Sequence, residues 1–80
     1  MIEWKKVGKT VNEEGTTNIY AAAGTVYTIE SRKRHIPHAN GVGTWDHTTY
    51  HIMRDGAEVG KQYSLADAKY LAENMIEEEL

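Results

Sequence analysis

Eighty residues suffice for one domain, near the lower limit at which hydrophobic burial alone sustains a fold. There is no cysteine, which excludes a disulfide framework or a cysteine-based zinc site as a staple. The core must come from the 40% of residues that are apolar, a set with no Phe, two Trp and five Tyr. The formal charge of −3 argues against a uniformly basic nucleic-acid binder, and no apolar run approaches the roughly 18 residues of a membrane span.

In chain order, Ile2 to Val7 reads as a first strand, with Ile2 and Trp4 on one face and Glu3 and Lys5 on the other. Gly8 to Thr17 contains Asn12-Glu13-Glu14-Gly15 and reads as a loop or wide turn. Asn18 to Ala23 is ambiguous in its three alanines, which favour helix. Ile19-Tyr20 before them and Gly24-Thr25 after them favour a strand. Ala23-Gly24 then serves as a tight turn into Thr25 to Arg32, where alternation places Tyr27 and Ile29 together.

Lys33 to Thr44 carries Pro37, Asn40-Gly41 and Gly43 and reads as a long mobile loop. Trp45 to Arg54 resumes as a strand. Tyr50 and Ile52 fall on one face, and Trp45, His47, Thr49, His51 and Met53 on the other. Asp55-Gly56 is a strong hairpin signal returning into Ala57 to Tyr63, a strand that Gly60 shortens or bulges.

Ser64 is the expected N-cap of the last element, with Asp67 where a carboxylate suits the positive helix end. Leu65, Ala68, Leu71, Ala72, Met75 and Ile76 form one stripe at helical spacing. The reading is a single α+β domain over residues 1–80. An antiparallel sheet of four to five strands, a β-meander within 1–63, is packed by a single C-terminal α-helix over 65–79.

Trp4, Tyr20, Tyr27-Thr28-Ile29, Trp45, Gly56, Gly60 and Ser64-Leu65-Ala66-Asp67-Ala68-Lys69 together carry a pattern that resembles small accessory proteins encoded by phages and prophages. The resemblance implies an antiparallel meander followed by one C-terminal helix, and a viral accessory protein of a group mostly without assigned activity. The segment from Lys33 to Thr44 is longer than the short hairpin usual there.

Charge is segregated along the chain. Arg32-Lys33-Arg34 forms a basic cluster that leads into His35 and His38, with Trp45 and Tyr50 nearby as aromatic faces for bases. The helix ends in Glu77, Glu78 and Glu79, which oppose the macrodipole and are expected to fray or to meet a cation. Candidate binding residues are therefore Arg32, Lys33, Arg34, His35, His38, Trp45, Glu77 and Glu78.

His35, His38, His47 and His51 raise the question of a metal. His47 and His51 share a strand face but stand about 13 Å apart, too far for one zinc ion with bonds of roughly 2.1 Å. No nucleophile elbow or phosphate loop is present. The expectation is a non-enzymatic cytoplasmic protein without cofactor or metal, whose partner is a host or viral protein. The alternative partner is nucleic acid, held by the basic cluster. An edge strand such as Ile2 to Val7 also offers pairing to a second copy.

Overall fold

The structure, a computed structural model, describes residues 2–37, 41 and 43–80. Five antiparallel strands, β1 (Trp4–Asn12), β2 (Gly15–Ala22), β3 (Tyr27–Pro37), β4 (Thr44–Arg54) and β5 (Ala57–Gln62), lie side by side in chain order. One helix, α1 (Leu65–Glu79), crosses one face of this meander. The α+β class is the one the alternation and helical stripe predict.

Alternation sets the core. The cross-strand row Tyr20–Ile29–Ile52–Gly60 runs beneath the helix, with Ile29 and Ile52 completely buried. Ala68, Ala72 and Ile76 meet this row from α1, and Ala22 and Tyr27 close it below. Two alanines at the contact let the helix lie close to the strands, and Gly60 keeps β5 low enough to pass under Leu71. Ser64 caps the helix through its Oγ, which accepts from the Asp67 N–H at 3.1 Å.

Four predicted boundaries move. β1 does not stop at Val7. A bulge between Lys6 and Gly8 shifts the register, and the strand continues to Asn12. The expected wide turn shrinks to Glu13-Glu14, held by Asn12, whose Oδ1 accepts from the N–H groups of Glu14 and Gly15. The turn after β2 is longer than a two-residue hairpin, because Thr25 Oγ1 bonds back to the Ala22 carbonyl and receives the Tyr27 N–H.

The fourth change is larger. Lys33 to Pro37, expected as the start of a mobile loop over 33–44, belong to β3 and pair with Thr44 to Thr48 of β4. Hydrophobic alternation fades there because neither face is covered by the helix, yet the ladder of backbone hydrogen bonds continues without it. Pro37 stands at the strand end, where a missing N–H is tolerated. His38 and Asn40, also in that expected loop, lie outside the described residues.

Length explains what remains uncovered. A helix of 15 residues spans about 22 Å, whereas strands of 11 residues reach about 36 Å. The molecule measures 50 × 21 × 19 Å. The helix therefore roofs the end of the sheet near Tyr27 and Arg54, and no described helix covers either face of the other end. No described helix is long and apolar enough to cross a membrane.

Candidate functional site

Because β3 alternates, the basic cluster is split between two faces. Arg32 and Arg34 project to the open face, and Lys33 and His35 to the side that carries the helix. Arg32 is committed to Glu30, Nε to Oε1 at 2.9 Å. Arg34 donates to Thr17 Oγ1 and to the Lys33 carbonyl, both at 3.1 Å, and meets no carboxylate among the described residues. Lys33 lies 3.3 Å from Asp46, which also takes His35 at 2.5 Å. The His35 hydrogen bond, then that of Lys33, holds the Asp46 carboxyl below the usual carboxylate range. Of the four basic residues in this run, Arg34 keeps its charge uncompensated.

On the open face, beside Arg34, stands a row of aromatic rings. Trp45 meets His47 edge to face with centroids 5.7 Å apart, and His47 meets Tyr63 at 6.1 Å. Lys61 sits over the Tyr63 ring at 5.5 Å. Trp45 is 45% exposed and Tyr63 67%. Both side chains are open to solvent because no described helix covers this side. Arg34 is directly opposite His47 in the β3–β4 register, and Arg32 opposite Thr49. Trp45 was legible from sequence as a stacking residue. His47 and Tyr63 were not, since their adjacency requires the β4–β5 pairing. Tyr50, expected to join Trp45, points to the helix side, as its pairing with Ser31 and Gln62 dictates.

Further down the same face, Thr49 Oγ1 stands 2.8 Å from His51 Nε2, and His51 Nδ1 bonds the Glu58 carboxylate. This is the connectivity of a nucleophile, base and orienting acid. At Thr49 the strand pairs with Arg32 of β3, and its ladder with β5 begins only at Tyr50. The relay satisfies both ring nitrogens of His51, which is 7% exposed. No three potential metal ligands converge among the described residues.

The acidic helix end divides. Glu77 and Glu78 are exposed, while Glu79 takes Arg54 Nε at 2.6 Å and the Tyr27 hydroxyl at 2.9 Å. The cation expected to meet this end is thus Arg54, and the residue that meets it is the one after the two singled out from sequence.

On the helix side, beyond Leu65, the bare half of the sheet forms a groove of about 340 Å³. Its floor is the cross-strand row Lys9–Asn18–Ser31–Tyr50, and Lys6 and Lys33 stand at its sides. No family model matches this chain, and neither a curated protein nor a solved structure matches it.

Proposed function

We propose that this protein binds single-stranded nucleic acid along the open face of its sheet. The observation that carries the reading is the solvent-exposed ring row Trp45–His47–Tyr63 running beside Arg34, a guanidinium with no carboxylate partner among the described residues. Aromatic faces stack on any base, and a cation beside them neutralises the backbone that joins successive bases. An overall charge of −3 is compatible with this, because Asp67, Glu73, Glu77, Glu78 and Glu79 lie on α1, on the other face of the sheet, and on the open face Glu30 is taken by Arg32 and Glu58 by His51.

Attachment of a protein partner as an added strand has less to support it. Each edge strand is interrupted by an irregularity in register, and the edges carry Lys5, Lys6 and Lys9 on β1 and Lys61 on β5. Bulges and edge lysines are the usual means by which sheets refuse a further strand.

The test is binding of a labelled oligothymidylate followed by anisotropy across a salt series. Affinity should fall with salt, the log–log slope shrinking by about 0.7 for each phosphate contact removed. Arg34→Ala should reduce the slope, and Trp45→Ala should cost about 1–3 kcal/mol with little change in slope. Absence of binding at low salt, or wild-type affinity in both variants, would refute the reading.

A further inference from the structure

The helix side of the sheet has two halves of opposite relief and opposite charge. In the low half, the bulge in β1 pairs Lys6 with Tyr20 and Lys9 with Asn18, which share a face of β2. Strict alternation over three residues would have parted the two lysines. Both line the groove beyond Leu65, with Lys33 on its far side, and no residue lining it is acidic. Neither Lys6 nor Lys9 meets a carboxylate among the described residues.

The high half is α1, and its outer face is acidic. Tyr70, Glu73 and Glu77 recur at helical spacing on the side away from the buried Ala68 and Ala72. Tyr70 is 71% exposed. Neither Glu73 nor Glu77 meets a cation among the described residues. The helix lies beside its own groove, which Leu65 of its first turn lines, so its outer face cannot enter that groove.

A raised acidic half next to a sunken basic half is a self-complementary surface. A helix stands about 10 Å above the sheet it covers. A copy turned end for end about a two-fold axis therefore seats each helix in the other's groove. An unrelated acidic partner would satisfy the lysines alone, whereas a second copy matches the lysines and the glutamates together.

We infer that two copies of this chain pair across their helix-side faces. The outer face of each α1 lies over the other's groove, with Tyr70 inserted between the lysines and Glu73 and Glu77 paired to Lys6, Lys9 and Lys33. The uncovered part of the sheet is about 14 Å long and, over β1 to β4, about 19 Å wide. Two such patches, each under the other copy's helix, bury on the order of 1,100 Å² in all, just above what a specific interface needs. The dimer is accordingly weak and sensitive to salt. The face bearing Trp45 and Arg34 stays outward in both copies, so this pairing does not depend on the function proposed above.

Sedimentation equilibrium of the full chain from about 1 μM to about 1 mM tests this. The mass should rise with concentration from 9.0 kDa towards twice that value, and return to the monomer as salt approaches about 1 M. Lys6→Glu with Lys9→Glu, and separately Glu73→Lys with Glu77→Lys, should each weaken association about tenfold or more. An equal mixture of the two variants should recover it, because each helix then meets the opposite charge in the other's groove. Tyr70→Ala should also weaken it about tenfold, and Lys5→Gln, on the other side of β1, should leave it intact. Far-UV circular dichroism of each variant alone establishes that it is folded. A monomer at every concentration, a dimer that survives both charge reversals, or folded variants whose mixture stays monomeric would overturn the inference. So would a monomeric chain whose groove lysines respond instead to oligothymidylate, which would assign the groove to nucleic acid.

Discussion

Glu79, the last residue of α1, lies 2.6 Å from the Nε of Arg54, where β4 ends. An acidic residue at a helix C-terminus faces the negative end of the macrodipole, and Arg54 offsets that conflict by tying the helix end to the sheet. Tyr27 adds its hydroxyl at 2.9 Å, so one carboxylate joins the first residue of β3, the end of β4 and the end of the helix. The charge that looks least suited to its position in sequence fastens the roof.

The Arg54 hydrogen bond, then that of Tyr27, holds the Glu79 carboxyl below the ordinary glutamate range. A group depressed on folding stabilises the protein above its unfolded pKa and loses that contribution as pH falls through the folded value. Stability from this contact should be complete above about pH 5 and decline below it. Amide exchange of the last helical turn should accelerate in acid, and Glu79→Gln should remove that part of the pH dependence. Both partners are half exposed, so the shift in Tm should be small and diminish with added salt.

Gly15 opens β2 where the backbone passes against β3. A Cβ built there would stand 1.9 Å from the Lys33 carbonyl oxygen, at a φ of +149° that only glycine adopts readily. Gly15→Ala should destabilise by more than about 3 kcal/mol, since neither backbone can yield cheaply. Urea denaturation monitored by far-UV circular dichroism measures it. Gly24→Ala, with open space around its Cβ position, should cost distinctly less, about 1 kcal/mol, for its φ alone.

Ala72 is fully buried between α1 and the sheet. Ala72→Leu should lower stability by about 1–3 kcal/mol, because the added atoms must lift the helix from Ile29 and Ile52. Ile52→Ala acts in the opposite sense by leaving a cavity and should cost about 2–5 kcal/mol. In a domain this small that is enough to leave much of the population unfolded at 25 °C. Thermal melts distinguish the two from wild type.

His51 keeps both ring nitrogens bonded, one to Thr49 and one to Glu58. Thr49→Val removes the Nε2 partner without changing shape and should cost about 1–3 kcal/mol, the penalty of an unpaired buried polar atom. Glu58→Gln retains a hydrogen-bonding group and should cost less. Chemical denaturation of the two variants ranks them, and an equal or reversed order would show that the Glu58 charge, rather than the hydrogen-bond count, secures His51.

Much of the roofed half was legible. Tyr27 and Ile29 share a face by strand alternation, the six apolar positions from Leu65 to Ile76 face the sheet, and Ser64 caps the helix. Asp55-Gly56 closes its hairpin with φ of 50° and 85°, the backbone its sequence calls for. These features are local or follow one period, and burial enforces them. The bare half was not legible. Lys33 to Pro37 have polar residues on both faces, so no periodic signal separates a strand from a loop there.

The candidate sites divide on the same line. Trp45 and the arginines could be picked out by residue type, but Lys6 and Lys9 read only as part of a charged N-terminus. Nothing in their spacing points to Asn18 or Ser31.

By itself, the sequence determined the α+β class, the strand faces near the core, the hairpin at Asp55-Gly56 and the extent of the helix. Each of these depends on hydrophobic period, turn chemistry or capping within a few residues. Only the tertiary structure decided that Arg32 and Arg34 part from Lys33, that Glu79 rather than Glu77 or Glu78 finds a cation, and that Lys6, Lys9 and Lys33 line one groove. Those arrangements depend on strand register and on a helix shorter than the sheet it covers. Both are set by packing between residues far apart in the chain.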